Sequence, residues 1–383
     1  MFSWVTNAAQ SALSAVAGTA EPIYGPSHLH HVSKQEAENP KYEVLPEDLS
    51  WVALDSTCAE TQTFYIDTKA GPLIMLQVIY SNVANIHVSA QLNVKVFYPD
   101  GKIHWSAKTM DNYAFDEKKR SFGADNFKIE LAPDNNSYRI ISNLDTETLV
   151  DVTITREIPA FKVGKDARTN FGENAANPWG CIRHLFWPKG KAEGTLTVKG
   201  EKIDAAGGAV FILALQGMKP HHAASKWNFA TFESEHFVAF MMEFTTPPSY
   251  GSGIVNVGGV YKDGKLLVGT TKGTFEHTET RLDAETEWQE PTAIKATWVG
   301  SSQEDNKTEV VASLESKLEN RIDRVDVMAE VPAIIKRIVS GAVGTKPYIY
   351  QFRQKGTLKV KIGDQEFSEE GKLFTEATFI NNF

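Results

Sequence analysis

The stretch VFYPDGKI at residues 96–103 returns in altered form as GVYKDGKL at 259–266, an offset of 163. Alone, an Asp-Gly-Lys turn between apolar runs says only that two strands meet in a hairpin. A second pair follows in the same order: GTLTVKG at 194–200 and GTLKVKIG at 356–363, offset by 162. A weaker third pair sets WVALDS at 51–56 against FILALQ at 211–216. Similar strings recurring at nearly one offset predict a duplicated unit of about 160 residues. A unit of that size fits one antiparallel barrel of about eight to ten strands, whose interior can hold a small ligand.

The text between the echoes agrees. WVAL at 51–54, QTFYID at 62–67, LIMLQVIY at 73–80 and HVSAQLNVKVFY at 87–98 are rich in β-branched and aromatic residues and partly alternate. NFKIEL at 126–131, YRIISN at 138–143 and LVDVTITREI at 149–158 continue the pattern. GTLTVKG reads as the close of the first unit, and AAGGAVFILAL at 205–215 as the start of the second. Each unit also carries an insertion read as non-strand before its closing strand, NPWGCIRHLFWPKG at 177–190 and VPAIIKRIVSGAVGTKP at 331–347. The latter sets Val331, Ile334, Ile335, Ile338 and Val339 on one helical stripe, suited to close a barrel mouth or to pack on a barrel wall.

Ahead of the strands, MFSWVTNAAQSALSAVAGTA at 1–20 has no charge. Wound as a helix, it places Phe2, Trp4, Val5, Ala9, Leu13 and Val16 on one half and its Ser, Thr, Asn and Gln residues on the other. Such a face suits either a membrane interface or the protein's own barrel. The stretch is too weakly apolar to span a bilayer and lacks the basic start of a secretory signal, the first Lys or Arg being Lys34. Residues 21–48, broken by Pro22, Gly25, Pro26, Pro40 and Pro46, read as a solvated linker carrying His28, His30 and His31. The expected organisation is a mainly β chain: an amphipathic helix at 1–20, a linker at 21–48, and antiparallel barrels at 49–207 and 208–383.

Composition narrows the function. A net charge of −9 and a pI near 5.6 leave no basic stripe for nucleic acid. Two cysteines, Cys58 and Cys181, make no disulfide framework and suit a reducing compartment. No nucleophile elbow, P-loop, dinucleotide fingerprint, HExxH or CxxC occurs, so no catalytic residue, cofactor or metal site is assigned. Two aromatic clusters remain. Trp179, Arg183, His184, Phe186 and Trp187 crowd one; Trp227, Asn228 and Phe229 lie in the other. They are candidates for an apolar pocket with a few orienting polar groups, or for barrel-end plugs.

At these clusters the sequence resembles a known family. WGCIRHLFWPKG, HHAASKWNFATFESEHFVAFMMEFTTPPSYGSG, KPYIYQF and the closing FTEATFI look like the fungal survival-factor, or Svf-like, oxidative-stress survival proteins. The likeness runs from the first residues to the last. It implies two tandem lipocalin-like (calycin-like) β-barrels and a cytoplasmic carrier of ceramide or a related sphingolipid; the oligomeric state is not read from the sequence, a monomer being the expectation. Such a carrier moves its lipid from the endoplasmic reticulum to the Golgi and supports survival under oxidative stress. The resemblance also implies reversible peripheral attachment to those membranes through an N-terminally acetylated amphipathic helix, without secretion. More distantly the architecture resembles two-barrel carotenoid-hydratase-like proteins. An enzyme of hydratase or cyclase type, with His184 or a nearby carboxylate as acid or base, is therefore a second reading. A ligand-free stress adaptor with a solid interior is a third.

Overall fold

Both DGK echoes are hairpin turns. Gly101 (φ +84°) turns the chain between the strands His87–Phe97 and Ile103–Thr109, and Asp100 accepts the Lys102 N–H at 3.0 Å. Asp263 and Gly264 (φ +49° and +78°) do the same between Ile254–Lys262 and Lys265–Thr270. Residues that tolerate positive φ give the turn the twist that adjoining strands require. In this computed structural model, residues 22–83, 85–330 and 347–380 are described, and the chain divides into two units. The first unit is Gln35–Arg168 with Cys181–Met218. The second takes Lys219 onward, Thr169–Gly180 and the chain up to Lys34.

Each unit is one curled antiparallel sheet, and the two share a topology. In the first, the order runs Ile103–Thr109, His87–Phe97, Leu73–Val83, Cys58–Thr68, Gly207–Gln216, Gly180–Val198, Thr148–Arg156, Ser137–Asp145, Phe127–Leu131, then two short strands. In the second it runs Lys265–Thr270, Ile254–Lys262, Phe237–Thr245, Lys226–Glu233, Gln365–Phe379, Tyr348–Ile362, Glu309–Lys317, Gln289–Ser301, Thr274–Leu282. In both, a meander of four strands leaves the first strand, and the last strand pairs alongside that first one. Both hairpin echoes join the third and fourth strands of their meanders.

The free edges are bridged. Ser106 Oγ donates to Asp145 at 2.7 Å, and His104 bonds Thr148 at 2.8 Å. In the second unit, Gln303 N–H reaches Leu267 O at 2.9 Å and Thr270 Oγ1 reaches Val299 O at 2.7 Å. Alternation along the strands turns Phe64, Ile66, Leu76, Val94, Ile140 and Leu213 into one core and Phe232, Met241, Ile294, Trp298, Leu314 and Tyr350 into the other.

Three sequence expectations are corrected. Gly207–Gln216 closes the first sheet between Cys58–Thr68 and Gly180–Val198, so the boundary read at 207/208 lies before the strand that completes the first unit. Gly207 and Gly208, read within the start of the second unit, open that strand. WGCIRHLFWPKG is not an irregular insertion, because from Gly180 it is strand paired with Gly207–Gln216. The stretch 21–48 is not a free tether. From Pro22 on it is described, and Leu29 and His30 pair with Phe171 and Asn170. Asp48 and Leu49, in the short helix Pro46–Leu49, are buried. The helix read at 1–20, with Phe2, Trp4, Val5, Ala9, Leu13 and Val16, lies outside the described residues, as does the stripe Val331–Val339.

Candidate functional site

The eight pocket candidates divide between the two units, and within each unit they do not share one face. On the strand Gly180–Val198, Cys181, Leu185 and Trp187 belong to the first core, and Arg183 shares their phase. His184 and Phe186 take the opposite phase. Phe186 is covered by its backbone bridge to Phe161. Trp179 belongs to the second unit, where it is 46% exposed and donates to the Tyr250 hydroxyl at 3.0 Å beside Tyr24 and His28. His30 bonds Gly172 O at 2.9 Å. Of the second cluster, Asn228 is in phase with the core residues Ala230 and Phe232, while Trp227 and Phe229 are in the other phase, Phe229 meeting Phe374. A cluster tight in sequence is split by strand alternation into two faces.

Arg183 holds protein. Its Nη2 donates to Asp48 O at 2.5 Å and its Nε to Asp166 O at 3.3 Å. Asp48 also pairs with the buried Lys162 Nζ at 2.7 Å and accepts the Leu45 N–H at 2.7 Å. Glu60, on the strand Cys58–Thr68, receives the N–H groups of Val52 (2.9 Å) and Ala53 (2.8 Å). Burial raises the Glu60 carboxyl above the usual range, and those N–H groups and Arg183 act against the rise. These bonds fasten Pro46–Ala53 to the first sheet. Deeper in that unit the rings of Phe64, Tyr138, Trp187 and Phe211 lie 4.7–5.5 Å apart, a filled aromatic layer. The Tyr138 hydroxyl and Gln62 amide face one another there without closing a full hydrogen bond.

The second unit holds a longer polar row. Asn228, Glu243 and Asn256 stand directly opposite one another on three adjacent strands, a polar row whose phase is that of the core. Register alone creates it, since Asn228 pairs with Glu243 and Glu243 with Asn256. Glu243 Oε2 accepts Asn256 Nδ2 at 3.1 Å and the Phe275 N–H at 3.1 Å, with the Asn228 side chain a further donor to it. Asn228 Oδ1 bonds His277 Nε2 at 2.8 Å. Burial raises the Glu243 carboxyl and holds the His277 imidazole down at about 4. Asn256 is 4% exposed, and its Oδ1 has no hydrogen-bond partner among the described residues. Phe275, Phe379 and, stacked on Phe379, Trp288 form an apolar wall beside His277.

Buried carboxylates and amides are costly unless paired, so such a row within an apolar interior needs a reason. Sequence reading named Asn228 and missed Glu243, Asn256 and His277. The signal was present: Glu243 interrupts FVAFMMEFT in the phase of Ala239 and Met241. His184, named with a nearby carboxylate for the hydratase reading, lies in the phase opposite to the core. Burial also holds its imidazole at about 4. Between pH 6.5 and 4 the unfolded chain takes up a proton at His184 that the folded chain refuses. Its stabilising contribution is therefore complete above 6.5 and falls away as pH drops toward 4. His184→Gln is expected to lose less stability than wild type over that window, by up to about 1.4 kcal/mol per pH unit. Urea unfolding at pH 7 and 4.5 measures this; equal losses would refute it.

A family model, the Svf1 family, matches residues 6–381. The ceramide-binding protein svf-1 of Neurospora crassa is 50% identical, covering 100% of both chains. The ceramide-binding protein svf1 of Schizosaccharomyces pombe is 38% identical over 97% of this chain and 99% of its own. Among solved structures, CghA superposes with a TM-score of 0.61 at 12% identity, covering 93% of this chain and 98% of that one. Kievitone hydratase from Nectria haematococca gives 0.51 at 12% identity, over 94% and 98%. At such identities these two likenesses concern the fold alone.

Proposed function

The chain belongs to the Svf1 family, and from that membership we propose that it is a ceramide-binding carrier, built on two lipocalin-like barrels, and not an enzyme. The observation that supports this reading most is the polar row inside the apolar second unit, with the buried Asn256 Oδ1 left without a partner among the described residues. A ceramide joins two long hydrocarbon chains to a small uncharged head. Its transport through water needs an apolar interior with a few hydrogen-bonding groups to receive that head. The carrier works in the cytoplasm between the endoplasmic reticulum and the Golgi, which is how it supports survival under oxidative stress.

Purified protein incubated with mixed-lipid vesicles and then re-isolated should carry ceramide above a control protein of similar size. Recovery of no sphingolipid above that control would refute the reading.

The N-terminal stretch supplies residence at the membrane. Large apolar side chains such as Phe2, Trp4 and Leu13 contribute at most about 1.5–3 kcal/mol each on burial, and ordering a helix offsets part of that. With no basic residue to attract anionic headgroups, attachment is weak and reversible. Trp4→Asp is expected to reduce vesicle co-flotation at least about tenfold with the thermal midpoint unchanged. A fall in the midpoint would assign the stretch to the protein's own core instead.

A further inference from the structure

We propose that the row Asn228–Glu243–Asn256 with His277 is a headgroup subsite that selects lipids by the hydrogen-bond donors they carry. The inference rests on the carrier reading and says which interior holds the head and by what rule.

The hydrogen bonds orient every group. Ionised, Glu243 can only accept, and it takes the N–H bonds of Asn256 and Phe275 on Oε2. The Asn228 side chain is a further donor to that carboxylate, which puts its NH₂ on the Glu243 side and leaves Oδ1 to His277. A carbonyl oxygen accepts, so His277 must donate through Nε2–H. In the neutral ring, Nδ1 is then an acceptor. Asn256, having given its NH₂ to Glu243, keeps a buried Oδ1 without a partner among the described residues. Toward a ligand the row presents acceptors: that buried Asn256 Oδ1, beside the half-buried His277 ring and the Glu243 carboxylate. Lys226, exposed and two residues along the strand from Asn228, acts electrostatically on both Glu243 and His277.

An acceptor set wants donors. A ceramide head offers two hydroxyls and an amide N–H, whereas a diacylglycerol of equal chain length offers one hydroxyl. A site built of buried acceptors discriminates strongly against a ligand that leaves them unpaired, while its apolar walls hold both sets of chains alike. The Phe275, Trp288 and Phe379 rings beside His277 form such a wall.

The test equilibrates the full chain with phosphatidylcholine vesicles holding equal amounts of chain-matched ceramide and diacylglycerol. Bound lipid is then counted by mass spectrometry. Wild type should favour ceramide. Asn256→Leu and the near-isosteric Glu243→Gln should each cut the ceramide-to-diacylglycerol ratio about tenfold while diacylglycerol uptake persists. Only variants with wild-type near-ultraviolet circular dichroism are compared, and Glu243→Gln covers a failure of Asn256→Leu to fold. Gln62→Leu in the filled layer of the first unit should keep the wild-type ratio. An unchanged ratio in both second-unit variants, or its loss in Gln62→Leu instead, overturns the subsite and leaves the carrier intact. Uptake of neither lipid by wild type overturns the carrier reading, and the subsite with it.

Discussion

Asp48→Ala is expected to remove about 3–5 kcal/mol from the first unit. The carboxylate sits 2.7 Å from Lys162 Nζ, with side-chain exposures of 10% and 5%, and it also receives the Leu45 N–H at 2.7 Å. Alanine leaves the buried Lys162 ammonium its bond to the Lys165 carbonyl at 2.6 Å but no carboxylate among the described residues, and removes the Arg183 ion pair at 3.9 Å as well. The loss comes mainly from that orphaned charge and less from the missing attraction. Lys162→Met in the Asp48→Ala background should therefore recover a large part of the stability, although it removes a second polar group. Differential scanning calorimetry with two resolved transitions is the measurement, since a chain of two units need not unfold in one step. A double variant no more stable than Asp48→Ala would show that the pair matters through its geometry instead of its charge.

Gly207→Ala and Gly371→Ala should each destabilise their own unit by about 3 kcal/mol. The two glycines occupy matching places: each stands on the closing strand where it passes the end of the first strand. A Cβ on Gly207 would lie 2.2 Å from Asp67 O, and one on Gly371 2.3 Å from Glu233 O and 2.6 Å from Phe232 Cζ. Backbone atoms cannot step aside as a flexible side chain can, so the strand pair must open. Gly207→Ala should lower one calorimetric transition and Gly371→Ala the other. An unshifted pair of transitions would mean that the strands separate there at no cost.

The duplication was legible because turn chemistry survives divergence: Asp-Gly at 100–101 and 263–264 sits in matching hairpins of both sheets. The weakest echo misled, since WVALDS lies ahead of the first strand while FILALQ lies within the closing one. The boundary error could have been avoided. GTLKVKIG is followed by the strand Gln365–Phe379, so its counterpart GTLTVKG needed a closing strand after it as well. The polar row was harder to see. Residues 228, 243, 256 and 277 share no local pattern: strand register aligns the first three, and His277 joins them by a side-chain bond from a strand not adjacent to theirs. Trp179, Arg183 and His184 showed the opposite: nearness along a strand says little about a shared pocket when alternate side chains point apart.

The pairing of first strand with last also governs how the chain can be made. Phe64 is synthesised early, yet its partner on one side, Phe211, emerges only when nearly the whole first unit has been translated. At about 5–20 residues per second that wait lasts roughly ten seconds. Throughout it, the Cys58–Thr68 strand keeps one edge unpaired, an invitation to intermolecular pairing. Ala230 waits likewise for Thr375, almost to the last residue. Non-local closure of this kind slows folding. Nascent chains truncated before residue 207 should therefore need a chaperone to stay soluble, while those extending past residue 218 should have a completed first sheet.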